Sequence, residues 1–147
     1  MTSEKNYHAL IPDKIFMGAA ADVESMVKNE GIEVIVDLRG EATECAYPAA
    51  HSKWIQISLA DNASGPQEEA FEQAIQAVTE AFRQNKKVAF HCGGGKGRTG
   101  TVAVGTLLTL GLSKTIDEAV AEARSIRQVI DIKPSQRESL QTLYPDK

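Results

Sequence analysis

The residues with the clearest chemical meaning are Cys92, Arg98 and Thr99, set in His91-Cys92-Gly93-Gly94-Gly95-Lys96-Gly97-Arg98-Thr99-Gly100. An apolar run, Lys87-Val88-Ala89-Phe90, leads into this stretch, and a helix-like run, Thr101 to Leu110, leads out of it. A cysteine at a strand end, glycines behind it and an arginine before a helix describe a loop that wraps an anion. Successive backbone N–H groups can turn inward where side-chain bulk is small, and the helix offers its N-terminus to negative charge. A thiol enclosed by such a loop is a nucleophile once ionised. The chemistry that fits is attack by Cys92 on the phosphorus of a phosphate ester, with a phosphocysteine intermediate.

Other glycine-rich loops fail on their spacing or their context. The nucleotide pattern G-x-x-x-x-G-K-[ST] is broken because Gly97 follows Gly95-Lys96 and Phe90 stands five positions before Gly95. Gly95-Lys96-Gly97-Arg98-Thr99-Gly100 matches the dinucleotide pattern G-x-G-x-x-G. However, its first glycine comes four residues after His91, and no second strand ending in an acidic residue follows the helix. A zinc site finds no ligand spacing in His91-Cys92 or in Cys45 and His51. The reading therefore needs no metal and no organic cofactor.

The elements that must position this loop follow from periodicity. Ile11 to Gly18 reads as a turn and short strand, and Ala20 to Asn29 as a helix ended by Gly31. Ile32 to Leu38 is a β-branched run typical of a buried strand, and Lys53 to Leu59 alternates as another. Residues 39–52 are irregular, and Ala60 to Pro66 is a loop by composition. After Pro66, the residues Phe71, Ala74, Ile75, Val78, Ala81 and Phe82 keep a helical stripe. Val88 to His91 is a strand, and Thr99 to Leu110 a buried helix stopped by Gly111. Thr115-Ile116-Asp117-Glu118 is a capping box for a further helix, and a last short helix begins near Pro134. Strands separated by helices imply an α/β domain over residues 1–147, with a mostly parallel central sheet and helices on both faces. Its ligand site lies at the carboxyl end of a strand.

The bulk properties limit the partners. A chain of 147 residues with 42% hydrophobic and 24% charged residues suits one soluble domain. A net charge of −4 argues against a general nucleic-acid surface, while leaving room for a locally basic pocket. Two cysteines make no secreted disulfide framework. Met1 to His8 lacks the apolar core of a signal peptide, and Val102 to Leu112 is too short to span a bilayer. A cytoplasmic protein without a membrane span is expected. Nothing in the sequence speaks to oligomeric state.

His91-Cys92-x5-Arg98-Thr99-Gly100 resembles the active-site signature of the cysteine-dependent protein tyrosine phosphatase superfamily, H-C-x5-R-[ST]-G. Chain length, motif order and the absence of Trp-Pro-Asp make it similar to the compact dual-specificity group. Ile11 to Gly18, Asp37-Leu38-Arg39-Gly40-Glu41, and Ala119-Val120 with Arg124-Ser125-Ile126-Arg127 and Pro134-Ser135-Gln136 resemble the kinase-associated phosphatase type. The resemblance implies that Cys92 attacks phosphorus and that backbone N–H groups from Gly93, Gly94, Gly95, Lys96, Gly97 and Arg98 hold the nonbridging oxygens. Arg98 would add a bidentate clamp, Thr99 would hydrogen-bond the Cys92 sulfur, and His91 would hold the loop from behind. The family's general acid and base is an aspartate on an upstream loop, and Asp61, 31 residues before Cys92, fits that place. Asp37 is the runner-up, with a structural bond to Arg39 as its expected use. Arg124 and Arg127 are either buttresses of the loop or exposed helix charges.

The expected substrate is a phosphorylated protein or peptide, with phosphotyrosine as the main class and phosphoserine or phosphothreonine beside it. Lipid phosphatases that share Gly95-Lys96-Gly97-Arg98-Thr99-Gly100 carry a lysine at the position of Gly93, so a phosphoinositide or other small phosphate ester is the alternative. Lys96 is either a substrate contact or a solvated loop lysine. A phospho-binding module with little turnover is a further class, and sulfur or arsenic chemistry at a related cysteine loop fits the residues less well. Some relatives protect the catalytic thiolate with a second cysteine, a role open to Cys45 alongside that of an ordinary free thiol.

Overall fold

The structure is a computed structural model, and it describes residues 6–60 and 67–147. Its elements are β1 (His8–Ile11), β2 (Ile15–Ala19), α1 (Val23–Glu30), β3 (Val34–Arg39), β4 (Lys53–Leu59), α2 (Glu68–Arg83), β5 (Val88–Cys92), α3 (Gly97–Thr109), α4 (Ile116–Ile126) and α5 (Pro134–Leu143). The strands form one sheet in the order β1-β2-β5-β3-β4. The β1–β2 pair is antiparallel and the other three pairings are parallel. This is the expected α/β architecture with one addition. The segment before β2 contains a separate strand, β1, joined to it by a turn in which Asp13 takes φ 65° and Lys14 N–H bonds Ile11 O at 3.0 Å.

β5 and β3 are flanked by strands on both edges and packed by a core on each face. This is why their sequences read as apolar runs rather than as alternation. The alternation persists in where the side chains go. Val88, Phe90 and Cys92 join the larger core with Val34, Val36 and Leu38, against α2, α3, α4 and α5. Ala89 and Ile35 face the opposite side, where Val23 and Met26 of α1 and Phe16 of β2 form a second, smaller core. Burying a side chain of this size contributes about 1.5–3 kcal/mol, so the two cores fix the register of β5 firmly.

α3 is buried from Gly97 to Leu108, as its sequence suggests. α4 is capped by Thr115, whose Oγ1 accepts Glu118 N–H at 3.1 Å, while Glu118 Oε2 accepts Lys114 N–H at 3.1 Å. The capping box is therefore present but reaches one residue further back than the pattern implies. α5 begins at Pro134 as read from the sequence. Among the described residues, no helix is long and apolar enough to cross a membrane.

Candidate active site

Cys92 ends β5 and pairs in register with Ala19 of β2, while α3 starts at Gly97. The intervening loop is held by its carbonyl groups. Gly93 O accepts Ala20 N–H at 3.2 Å, Gly95 O accepts Arg127 Nε at 2.8 Å, and Lys96 O accepts Gly100 N–H at 3.2 Å and Asp131 N–H at 3.3 Å. A planar trans peptide points its N–H opposite to its C=O. Tying these carbonyls outward therefore turns the N–H groups of Gly94, Lys96 and Gly97 away from those partners, and all three residues line the cleft over Cys92. Gly95 sits at φ +69°, and a Cβ there would lie 2.5 Å from Arg127 Nη2 and 2.8 Å from the Gly18 backbone. Only glycine meets both conditions.

Arg127 is the loop's main side-chain support. It is 4% exposed and also donates from Nη1 to Asn6 O at 2.6 Å, with His8 Nδ1 at 3.1 Å. Arg124 is exposed, so of the two arginines considered in the sequence only Arg127 reaches the loop.

Cys92 is a free thiol with 3% of its surface exposed. Thr99, in the first turn of α3, donates from Oγ1 to Cys92 Sγ at 3.0 Å. Arg98 is 3% exposed and is gripped at the guanidinium tip. Its Nη1 donates to Leu59 O at 2.8 Å, to Leu38 O at 3.4 Å and to Glu41 Oε1 at 2.9 Å, while Nη2 donates to Glu41 Oε2 at 3.1 Å. The Arg98 hydrogen bonds hold the Glu41 carboxyl at about 2, from an ordinary 4.5.

Behind the loop, His91 and Asp37 are paired in register across β5 and β3, and both are fully buried. His91 Nδ1 lies 3.1 Å from the Cys92 carbonyl oxygen, and Nε2 lies 3.7 Å from Asp37 Oδ1. A proton on Nδ1 satisfies that carbonyl and fixes the tautomer. Burial pushes the His91 pKa down. Asp37 accepts Arg39 Nε and Nη2 at 2.9 Å each, Arg39 N–H at 3.0 Å and Trp54 Nε1 at 3.0 Å. Burial alone would raise the Asp37 pKa, but the Arg39 bonds, His91 and Trp54 together lower it. Asp37 is thus a structural partner of Arg39, the use expected for it.

A cleft of about 150 Å³ is lined by Cys92, Gly94, Lys96, Gly97, Arg98, Asp131 and Lys133. A wider hollow of about 500 Å³ adjoins it at Gly94 and Lys96 and extends to His8 and Val129. The structure therefore brings together Cys92, Arg98, Thr99, His91, Lys96 and the loop glycines. Asp61 lies outside the described residues. Cys45 packs against the smaller core, on the other side of the sheet from Cys92. Asp131, Lys133 and Glu41 were not anticipated as parts of this site. Asp131 and Lys133 carry no local signal, since only the return of the chain between α4 and α5 takes them there. Glu41 did carry one, because Asp37-Leu38-Arg39-Gly40-Glu41 is part of the family resemblance.

A family model described as "Polymorphic toxin system, DSP-PTPase phosphatase" matches residues 13–112, from the β1–β2 turn past the end of α3. The chain belongs to this family. This DSP-PTPase phosphatase is a cysteine-dependent phosphatase of the compact dual-specificity type. Its fold matches solved structures of similar size. Human DUSP28 shares 18% identity at a TM-score of 0.78, covering 95% of this chain and 93% of that one. The active form of Tk-PTP shares 21% identity at a TM-score of 0.80, covering 99% and 100%. PTPMT1 in complex with PI(5)P shares 19% identity at a TM-score of 0.78, covering 96% of each chain. No curated protein matches the sequence.

Proposed function

We propose that the protein hydrolyses phosphate monoesters on phosphorylated proteins or peptides, with phosphotyrosine as its main substrate class and phosphoserine or phosphothreonine beside it. Cys92 Sγ attacks phosphorus in line with the ester oxygen. The S–P bond forms as the P–O bond breaks, and Asp61 gives its proton to the leaving oxygen. Water then attacks the phosphocysteine, Asp61 takes a proton from it, and Cys92 leaves as the thiolate with release of inorganic phosphate. The N–H groups of Gly93 to Arg98 and the Arg98 guanidinium bind the nonbridging oxygens, where charge is greatest in the transition state. The observation that carries this reading is the 3.0 Å bond from Thr99 Oγ1 to Cys92 Sγ beneath a cleft that also holds Arg98.

A phosphoinositide or other small anionic phosphate ester is the second reading. It is favoured by Lys96 and Lys133 in the lining of the cleft, and by the likeness to PTPMT1, whose structure holds PI(5)P. A panel of phosphotyrosine, phosphoserine and phosphothreonine peptides, phosphoinositides and nucleotides, with Cys92→Ser as the blank, separates the two. Cys92-dependent turnover fastest on phosphotyrosine peptides supports the main reading, and turnover confined to inositol lipids replaces it with the second. Phosphopeptide binding without turnover on any ester would make the protein a phospho-binding module.

A further inference from the structure

Among the described residues that line the Cys92 cleft there is one carboxylate, Asp131, and the proposed chemistry gives it no task. Lys96, Arg98 and Lys133 suit an anionic substrate, whereas Asp131 stands among them with the sign of the substrate's own charge. Among the described residues its side chain takes part in no ion pair. Such a charge works against phosphate in general, and hardest against a substrate that brings a second anion to the same mouth.

The segment between α4 and α5 holds Asp131 in place by dividing alternate residues between core and cleft. Ile130 and Ile132 turn to α3, where a Cβ on Gly100 would lie 2.6 Å from Ile130 Cγ2 and 3.4 Å from Ile132 Cγ1, so glycine lets the segment come this close. Ile130 is 1% exposed, and Ile132 packs on the larger core. Asp131 and Lys133, which alternate with them, line the cleft. The backbone is tied to the phosphate loop by Asp131 N–H on Lys96 O at 3.3 Å, and to α5 by Lys133 N–H on Gln136 Oε1 at 2.9 Å. Aspartate has a single methylene between backbone and carboxylate, so its charge stays where the backbone puts it. The charges of Lys96 and Lys133 ride on flexible four-carbon stems and can follow a ligand or leave it.

We propose that Asp131 is a specificity-determining residue that selects phosphopeptides by the charge beside the phosphorylated side chain. The inference rests on the phosphoprotein reading and deepens it. A phosphate over Cys92 is served by the loop N–H groups and Arg98, so what reaches the rim at Asp131 is the neighbouring part of the substrate. A basic side chain there meets a fixed carboxylate. A glutamate or a second phosphate meets like charge in a partly enclosed cleft, where screening by water is incomplete. The favoured substrate is a singly phosphorylated segment with a lysine or arginine next to the phosphorylated residue.

The test uses the full chain and one phosphotyrosine peptide in four versions, with lysine, glutamine, glutamate or phosphoserine next to the phosphotyrosine. For wild type, Asp131→Asn and Asp131→Lys, kcat/KM is measured on each. The ratio of the lysine peptide to the phosphoserine peptide should fall about 3- to 30-fold in Asp131→Asn and further in Asp131→Lys. The difference between the proteins should narrow at high salt. A merely structural role would lower all four values together and leave the ratio alone. A ratio that stays within about 1.5-fold of wild type in both variants overturns the inference while leaving the phosphatase reading intact. Calorimetric Kd values for the same peptides on Cys92→Ser, with and without Asp131→Asn, read the same ratio without turnover. Binding with the expected shift but no hydrolysis by the wild type sinks the phosphatase reading and supports the role of Asp131. Turnover confined to inositol lipids, and faster on bisphosphates than on monophosphates, overturns both.

Discussion

Thr99 Oγ1 donates to Cys92 Sγ at 3.0 Å, so the strand end and the first turn of the following helix are joined at the proposed nucleophile. The same hydroxyl lies 3.4 Å from Gly18 O, an alternative acceptor on the neighbouring strand. A hydroxyl has one proton, and an anionic sulfur is the stronger acceptor. In the proposed reaction the bond is therefore strongest where Cys92 departs from phosphorus as an anion.

That bond should matter most in the second chemical step, where Cys92 is the leaving group. Thr99→Ala removes a hydrogen bond to a charged acceptor, about 1.5–3 kcal/mol, or roughly 10- to 100-fold in rate. Rapid-quench kinetics with an aryl phosphate should then show a burst of the released alcohol close to one per enzyme, followed by slow turnover. Thr99→Ser should restore the steady-state rate. A Thr99→Ala enzyme with no burst and wild-type turnover would remove the proposed role.

Arg127 supports the loop from a buried position, so its loss is expected to affect both stability and catalysis. Arg127→Ala leaves the carbonyl groups of Gly95 and Asn6 without their donor, at about 1–3 kcal/mol for each buried group. For a domain of this size that corresponds to a fall in Tm of roughly 4–24 °C. It should also lower kcat/KM, because the peptide whose C=O faces Arg127 carries its N–H toward the cleft. Arg124→Ala, on the exposed side of α4, should leave both quantities unchanged. Thermal melts and steady-state kinetics on the two variants decide the matter.

Why Arg127 was legible only as one of two candidates has a physical reason. Sequence spacing sets Arg124 and Arg127 three residues apart near the end of α4, but which one meets the loop depends on where the helix stops and how it packs, and Arg127 lies just past its end in extended backbone. The phosphate loop was legible because its strand, glycines and helix are contiguous, so sequence order is already spatial order. The sequence reading places a turn and one short strand over residues 11–18 and does not distinguish β1, because a short edge strand has neither a clear period nor two covered faces. Asp131 and Lys133 reach the cleft from a segment distant in sequence, and nothing in their local composition distinguishes them from surface charges, whereas Glu41, which reaches Arg98, was marked only by the family resemblance of its turn.

The pair of buried groups behind the loop makes stability depend on pH in two stages. His91 has a folded pKa below its ordinary 6.5, so the unfolded chain binds a proton that the folded chain refuses. Its contribution is complete above 6.5 and is lost as pH falls below it. Asp37 also has a lowered folded pKa, so its contribution is present above 3.8 and is lost as pH falls below that value. Denaturant melts should show stability declining in the weakly acidic range and declining again below about pH 4. Asp37→Asn should cost about 3–5 kcal/mol near neutral pH, because it leaves Arg39 facing a neutral group, and should remove most of the lower stage. Stability that is flat from neutral pH down to about 4 would contradict the account of His91.

The assignment of Asp61 as the general acid makes a prediction that depends on the leaving group. Expelling an alkoxide or phenolate needs a proton in proportion to its basicity, whereas a good leaving group departs with little help. Asp61→Asn should therefore slow phosphotyrosine hydrolysis by about 10²- to 10⁴-fold, while a strongly activated aryl ester loses much less. A plot of log kcat/KM against leaving-group pKa should steepen in the variant. Since the base form of Asp61 assists only the second step, Asp61→Asn should also slow phosphocysteine hydrolysis for every substrate by the same factor. Glu68 and Glu69 open α2, and they provide the control. If Asp61→Asn leaves the slope unchanged while Glu68→Gln or Glu69→Gln steepens it, the acid comes from the helix start.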